Sequence, residues 1–356
     1  MIRKKYRVLI TSDKLKTPNC GLGRVAIDFN RFIVPAVKEE MDLTFLTADS
    51  ESARFLNGQK VEQLSFAKRY IPFYLKKYDL VHVTYQDPSY HVAGAKKMVL
   101  TIHDLNFLFT KKPSKQQKYL KRVQRNVSKA DAVVFISNFT KEICLKHLSI
   151  PASTITRVIY NGVELPNSAP KQPSWLDDNS SYFFAIGQFL EKKNFHVLLP
   201  FVKLVPDVKL VIAGDNQTKY GAWLKQQVVK EGLSDRVIFP GQIDEAEKLY
   251  LYRGCKAFFV PSIAEGFGLP VIEAMQAGRP VFCSDQTSLA EVGSTYAFYW
   301  QSFDPEKMLE TYSAGMSSFD EKFRDDAIRY SQQFTWSKNA EAYAQLYHEI
   351  LERGHS

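Results

Sequence analysis

The chain has 356 residues, more than one hydrophobic core usually holds, so its length favours two domains. Its 45% hydrophobic and 24% charged residues are typical of a soluble globular protein, and no apolar run reaches the roughly 18 residues of a membrane span. Four scattered cysteines without paired spacing argue against a disulfide framework and a zinc site, and predict reduced thiols in a cytoplasmic protein.

The charge is unevenly distributed along the chain. Residues 1–165 contain 28 of the 47 basic residues but only 14 of the 38 acidic ones, so the first half is strongly basic and the remainder is acidic. This asymmetry predicts an anionic partner for the first half, which the charge alone leaves open as a membrane surface, a nucleic acid or a phosphorylated substrate.

The first half alternates short apolar runs with amphipathic stretches. The opening MIRKKYRVLITS predicts a buried first strand and not a signal peptide, because its apolar run is short and no small-residue cleavage site follows. A helix is predicted from near Gly23, and the next strands are predicted at LTFLTA, DLVHVTY, KMVLTIHD and DAVVFISN.

A domain boundary is predicted within residues 160–181, which carry three prolines and little apolar periodicity. The sequence thus predicts an N-terminal domain over 1–165, a C-terminal domain over 166–336, and a last helix over about 337–356 with an apolar stripe. Strands of the second domain are predicted at YFFAIGQ, KLVIAGD, RVIFPGQ, AFFVPS and PVFCSD. Because helical stretches separate the strands, the fold class is α/β, with two Rossmann-like, doubly wound parallel sheets facing across a cleft.

The segment AEGFGLPVIEA places Glu265 and Glu273 with seven residues between them. The glycine-rich turn lies between the predicted strand CKAFFVPS and a predicted helix with Pro270 in its first turn, at a strand end where open α/β sheets bind ligands. The first N–H groups of that helix can hold phosphate oxygens. Each carboxylate can accept hydrogen bonds from vicinal hydroxyls, one pair on a sugar and one on a ribose; the alternative is a tight turn with two solvated acids.

This block, extended to PSIAEGFGLPVIEAMQAGRPVFCSD, strongly resembles the retaining GT-B glycosyltransferases of family 4, and within that family the mannosyltransferases. The resemblance continues through TIHDLNF, FISNFTKE, VIYNGVE, GQFLEKKN and FTWSKNAEAYAQLY, and so covers nearly the whole chain. It implies that the second domain holds a nucleotide diphosphate sugar, that the first domain holds the acceptor, and that the last helix crosses back to the first domain.

The resemblance also implies roles for residues around the glycine-rich turn. Glu265 would hold a hydroxyl of the transferred sugar and Glu273 the ribose hydroxyls. The backbone N–H groups of Phe267, Gly268 and Leu269 would contact the sugar and the diphosphate.

Two lysines, Lys192 and Lys193, follow the predicted strand YFFAI in GQFLEKKN. Cations at a strand end suit a diphosphate, because they neutralise the charge that grows on the leaving group; the alternative is a solvated basic turn. The family usually pairs an Arg with a Lys here, whereas this chain has Gln188 where Arg often stands. Lys offers a point charge in place of a planar fork, and Lys193 is the stronger candidate.

The segment PNCGLGRVAI supports a rival interpretation. Gly21, Gly23 and Ala26 match the dinucleotide-binding pattern G-x-G-x-x-A, and Asp49 ends the next strand where a ribose-binding acid would fall. This would make the protein an NAD(P)-dependent oxidoreductase. Against it, about ten residues separate the first strand from Gly21, whereas the fingerprint follows its strand directly. The family resemblance instead implies that this loop overhangs the donor phosphates and that Gly23 contacts them.

Two further sites are candidates because they follow predicted strands. His103 ends KMVLTIHD, and the resemblance implies that it lies beside the transferred sugar; the alternative is a structural histidine. Gln242 and Ile243 follow RVIFPG, in a loop that the family places near the nucleotide base. No cluster has metal-ligand spacing and no Asp-x-Asp occurs, so neither a metal nor a cofactor is expected.

Two basic segments of the first half favour a lipid surface. Residues 111–129 carry eight cations and no acid, and residues 65–79 interleave basic with aromatic side chains. Such interleaving suits anionic lipids, whereas no nucleic-acid reader motif occurs. The alternative is a solvated basic face.

Together these patterns predict a retaining hexosyltransferase. The expected donor is GDP-mannose, with UDP-glucose or another UDP-hexose as the alternative. The expected acceptor is a glycan or lipid-linked glycan of cell-envelope polysaccharide or lipopolysaccharide biosynthesis, and the expected location is cytoplasmic and peripheral on the inner face of the membrane.

Overall fold

The computed structural model describes residues 5–70, 72–92, 94–166, 168–177 and 180–353. Residue 71 of the predicted lipid-binding segment and residues 354–356 of the predicted last helix lie outside the described residues. The chain divides into two compact units: the described residues of Met1–Gly162 with Phe334–Ser356, and those of Val163–Gln333.

The first unit is built on a parallel sheet of seven strands, in the order β3-β2-β1-β4-β5-β6-β7. Its strands are Tyr6–Thr11 (β1), Met41–Thr47 (β2), Lys60–Gln63 (β3), Leu80–Val83 (β4), Met98–Ile102 (β5), Ala132–Phe135 (β6) and Ile155–Val158 (β7). Its first five α-helices are Gly21–Val37 (α1), Phe66–Tyr70 (α2), Phe107–Thr110 (α3), Pro113–Val127 (α4) and Asn138–His147 (α5). Strands β4, β5 and β6 are buried along their whole length, as expected for a sheet covered on both faces.

The second unit holds a parallel sheet of six strands, in the order β10-β9-β8-β11-β12-β13. Its strands are Tyr182–Ile186 (β8), Lys209–Ala213 (β9), Val237–Gly241 (β10), Ala257–Val260 (β11), Val281–Ser284 (β12) and Phe298–Trp300 (β13). Its helices are Leu198–Lys203 (α6), Lys219–Lys230 (α7), Glu245–Gly254 (α8), Leu269–Gln276 (α9), Leu289–Gly293 (α10), Pro305–Ser318 (α11) and Glu321–Ser331 (α12). The predicted α/β class with two doubly wound parallel sheets is confirmed.

Sequence reasoning missed three strands, all at sheet edges: β3, β7 and β13. An edge strand is paired on one side only and buries less, so its apolar run is short; β3 is KVEQ and has no fully buried residue. The first helix, which was predicted to start near Gly23, starts two residues earlier. It starts at Gly21, because Cys20 caps it by accepting a hydrogen bond from the Gly23 N–H.

The last helix, Trp336–Glu352 (α13), packs on α1 of the first unit, as predicted. Its two tyrosines enter a buried polar network with β4 and β5. His82 Nδ1 lies 2.6 Å from the Tyr347 hydroxyl, and His82 Nε2 lies 2.8 Å from the Thr101 hydroxyl. Thr101 in turn lies 2.7 Å from the Tyr343 hydroxyl, so each of these buried polar atoms has a partner.

The histidine of this network stays neutral in the folded chain. Burial, with a smaller contribution from nearby His103, lowers the pKa of His82 from its ordinary value of 6.5 to about 3. The unfolded chain therefore binds a proton at His82 below pH 6.5 that the folded chain does not bind.

We expect the free energy of unfolding to fall as the pH falls through this window. Between pH 6.5 and about pH 3, the protonation of His82 in the unfolded chain lowers the free energy of unfolding by up to about 1.4 kcal/mol per pH unit. Thermal melting at pH 7.5 and pH 5.5 checks this against His82→Gln, which should be less stable at neutral pH but lose less on acidification. Equal losses in the two proteins would contradict the prediction.

Candidate active site

The centre of the candidate site is an ion pair at the switch point of the second sheet. The chain winds from β8 outward to β10 and then returns to β11 beside β8. At such a switch point, open α/β sheets bind ligands. Lys193 follows β8 and Glu265 follows β11. Their Nζ and Oε1 atoms are 2.5 Å apart, and the two side chains are only 14% and 12% exposed.

The Glu265 carboxylate is ionised although it is buried. Burial alone would raise its pKa, but the positive charges of Lys193 and Lys192 outweigh that effect and hold the pKa below its ordinary value. The Lys192 carbonyl also accepts a hydrogen bond from the Ile263 N–H, at 2.8 Å. The two loops are thus joined by backbone and by charge.

Side chains from the following loop hold the glycine-rich turn in place. Thr287 Oγ1 accepts a hydrogen bond from the Glu265 N–H at 3.0 Å. The Ser288 hydroxyl contacts the carbonyls of Glu265 and Phe267, at 3.1 and 3.0 Å. Gly268 caps α9 with φ of 106°, a left-handed conformation that favours glycine.

The second acid, Glu273, lies one turn into α9 as predicted and has two partners on α8. Lys248 Nζ is 2.8 Å from Glu273 Oε1, and the Tyr252 hydroxyl donates to Oε2 at 2.7 Å. The Lys248 and Glu273 side chains are 12% and 13% exposed. The two acids of the motif therefore have separate lysines on separate elements.

A close approach of two glycines supports the loop of Lys193. Gly214, after β9, has φ of 128°, and a Cβ atom there would lie 2.0 Å from the Gly187 carbonyl oxygen. Gly187 follows β8 and lies under the Lys193 side chain, since a Cβ atom on it would be 3.1 Å from Lys193 Cε. This packing places Lys193 over the end of the sheet.

Gln242 and Ile243 lie beyond β10, two strand positions from β8. Gln242 is exposed and Ile243 half-buried. They lie on a different loop from either member of the Lys193–Glu265 pair, so their role near a base stays a prediction.

In the first unit, His103 lies after β5 and is buried. Its Nε2 is 2.8 Å from the Thr84 carbonyl oxygen, which can only accept, so Nε2 carries the proton and Nδ1 keeps a lone pair. Burial lowers its pKa, against the opposing effects of the Thr84 carbonyl and Asp104, so the ring is neutral near pH 7.

The glycine loop does not have the arrangement of a dinucleotide fingerprint. A 3-10 turn over Asp13–Lys16 separates β1 from Gly21. A Cβ atom on Gly23 would lie 2.0 Å from the Thr17 carbonyl oxygen, and the Gly23 N–H points to Cys20 Sγ at 3.4 Å. Asp49 instead caps the turn after β2 by accepting two hydrogen bonds from Ser52.

Comparisons with known proteins identify the family of the chain. The family model described as Glycosyltransferase Family 4 matches residues 42–166, and the one described as Glycosyl transferases group 1 matches residues 169–318. The chain belongs to these glycosyltransferases. The match to the first of these models includes His103, and the match to the second includes Lys193, Glu265 and Glu273. Gly23 lies outside both matches.

This glycosyltransferase is similar to two bacterial proteins of known name. It is 25% identical to O-antigen chain mannosyltransferase B of Escherichia coli over 332 residues, which cover 80% of this chain and 84% of that protein. It is 30% identical to an O-antigen chain mannosyltransferase of Salmonella typhimurium over 205 residues, 57% of this chain and 56% of that protein.

The fold is also found among solved structures. The structure of Anabaena Alr3699/HepE in complex with UDP and glucose superposes with a TM-score of 0.76 at 18% identity, covering 97% of this chain and 100% of that chain. The predicted GT-B fold is confirmed.

Sequence reasoning missed four residues that shape this glycosyltransferase site: Lys248, Tyr252, Thr287 and Ser288. The helical spacing of Lys248 and Tyr252, four residues apart, indicates a shared helix face but not which acid that face meets. Thr287 and Ser288 have no signal in the sequence, because their contacts with the glycine-rich turn depend on the tertiary structure.

We expect Gly214→Ala to destabilise the second unit by more than about 2 kcal/mol and to abolish nucleotide binding, because its methyl group would overlap backbone at Gly187. The matched control is Gly232→Ala, at φ of 68° with no atom within 4 Å of the added Cβ. It should cost only about 1 kcal/mol of backbone strain. Urea denaturation compares the two, and equal losses would contradict the expectation.

Proposed function

We propose that this glycosyltransferase moves a hexosyl group to a hydroxyl of a glycan or lipid-linked glycan acceptor, with retention of the anomeric configuration. The proposed hexosyl group is mannose, and the proposed donor is GDP-mannose. The observation that carries the proposal is the buried Lys193–Glu265 pair at the sheet's switch point. A cation there suits the donor diphosphate, and the ionised carboxylate beside it suits a sugar hydroxyl.

In the proposed reaction, the bond between the anomeric carbon and the β-phosphate oxygen breaks while a bond to the acceptor oxygen forms on the same face. The acceptor proton passes to the departing phosphate oxygen. Lys193, Lys192 and the first amides of α9 stabilise the charge on the diphosphate. Glu265 orients the sugar, and no enzyme–sugar bond is needed.

His103 is proposed to contact the transferred sugar. Its neutral ring and the lone pair on Nδ1 support this, because Nδ1 can accept a hydrogen bond from a sugar hydroxyl. The proposal needs neither a metal nor a cofactor. Gly23 remains a proposed contact of the donor phosphates.

Mannose is supported by the names of the two relatives, both O-antigen chain mannosyltransferases, and GDP-mannose is proposed as its donor. A UDP-hexose is the second candidate, because the similar Anabaena structure holds UDP and glucose. Thermal shift with GDP, UDP and NAD separates these candidates from the oxidoreductase alternative: a nucleoside diphosphate should stabilise the protein and NAD should not. Stabilisation by NAD alone would refute the proposal.

We expect Glu265→Gln to lower turnover on the order of 100-fold while the nucleoside diphosphate binds at least as tightly, because Lys193 is released from its pair. Lys193→Ala should weaken the same diphosphate about tenfold or more. Donor hydrolysis and isothermal titration calorimetry measure the two effects. Weaker diphosphate binding by Glu265→Gln would contradict the assigned roles.

We also propose that the first unit contacts an anionic membrane on the cytoplasmic side. Helix α4 and the residues before it expose a row of cations: Lys111, Lys112, Lys115, Lys118, Lys121 and Arg125. Phe109, which precedes this row in the chain, is 47% exposed, and on α2 Phe66 and Tyr70 form an exposed ring pair with centroids 5.1 Å apart. In the described part of the chain, no helix is both long and apolar enough to span a bilayer.

We expect a variant with Lys115→Glu, Lys118→Glu and Lys121→Glu to lose binding to phosphatidylglycerol vesicles, since each basic residue near the surface contributes about 1 kcal/mol. Its nucleotide affinity should not change. The control makes the same charge change on exposed lysines of the second unit, Lys219, Lys230 and Lys322. Co-sedimentation compares the two, and equal loss in the control would leave no specific role for α4.

A further inference from the structure

Helix α8 connects the two parts of the site that were predicted to hold the nucleoside. It begins directly after Gln242 and Ile243, where Asp244 and Glu247 form a capping box that fixes its first turn. Lys248 and Tyr252 are four residues apart, so they lie on one face of α8, and both contact Glu273 on α9.

The two contacts fall on different oxygens of the same carboxylate. Lys248 meets Oε1 and Tyr252 meets Oε2, so the carboxylate plane is fixed at both ends. Tyr252 is fully buried, and burial together with the nearby Glu273 charge raises the pKa of its hydroxyl, which keeps it a donor.

A carboxylate held in this way still has capacity for a ligand. Two carboxylate oxygens offer about four lone-pair sites, and the contacts with Lys248 and Tyr252 use two of them. Two sites remain, which is the number that a pair of vicinal hydroxyl donors requires. A freely rotating carboxylate would lose side-chain entropy on binding, whereas this one is already ordered.

We propose that Lys248 and Tyr252 are positioning residues that hold the Glu273 carboxylate ready for the 2′- and 3′-hydroxyls of the nucleotide, so that the site selects ribonucleoside over deoxyribonucleoside diphosphates. This inference rests on the proposed role of Glu273 in the donor site. Neither residue touches the nucleotide in this scheme, since both act through Glu273.

A purely structural role for the two residues gives a different expectation. If they only fasten α8 to α9, their loss should lower stability and weaken every nucleotide to the same degree. If they position Glu273, their loss should weaken only nucleotides that carry the ribose hydroxyls. The ligand's own hydroxyls therefore separate the two roles.

The test uses the full chain and isothermal titration calorimetry with GDP and UDP, each beside its 2′,3′-dideoxy analogue. The variants are Tyr252→Phe, Lys248→Met, the conservative Lys248→Arg, and Glu273→Gln. Tyr250→Phe is the matched control, because it removes a hydroxyl from the same helix at a position that does not share the helix face of Lys248 and Tyr252. Melting temperatures show that each variant is folded.

For the diphosphate that wild type binds more tightly, we expect Tyr252→Phe and Lys248→Met to weaken the ribose form about tenfold and the dideoxy form less than about twofold. Lys248→Arg should recover much of the loss, and Tyr250→Phe should match wild type. Equal weakening of both forms, or no weakening of either, would overturn the inference while leaving the proposed function intact. If Glu273→Gln itself does not distinguish the two forms, the ribose role of Glu273 fails and this inference fails with it.

Discussion

The Lys193–Glu265 pair is the interaction on which the site depends, because neither charge is stable in that place alone. Both side chains are almost completely removed from water, and an unpaired buried charge costs several kcal/mol. The pair holds together the loops that leave β8 and β11, the two strands between which the winding of the sheet reverses. In the proposed function, a donor diphosphate would replace Glu265 as the partner of Lys193 and so release the Glu265 carboxylate to contact the sugar.

The same arrangement recurs at Glu273, with a different lysine and a different helix. Separate partners allow the two acids to act independently: Glu265 is tied to the loop after β8, and Glu273 is tied to α8. Between them, α9 begins after Gly268, which is in a left-handed conformation, and has Pro270 in its first turn. One acid thus lies just before the start of α9 and the other one turn into it, each with its own lysine.

The first unit uses charge in another way. Its buried histidines, His82 and His103, are kept neutral by desolvation, whereas its exposed helix α4 concentrates lysines. His82 joins the sheet to the last helix, and His103 presents one ring nitrogen as an acceptor. Interior polar groups therefore fix the positions of side chains, whereas the lysines of α4 lie on the surface.

The sequence by itself determined the class of fold, the pattern of central strands and the residues of the glycine-rich turn. It could do so because central strands are continuous apolar runs, and because Gly268 and Pro270 have local conformational requirements that the sequence reveals. Edge strands such as β3 could not be predicted from the sequence, because they bury too few apolar side chains to show a pattern. Only the tertiary structure decided that Lys193 pairs with Glu265, that α8 supplies the partners of Glu273, and that His82 meets Tyr347. These contacts join residues far apart in the chain, and sequence spacing carries no information on which loop ends meet once the sheets have formed.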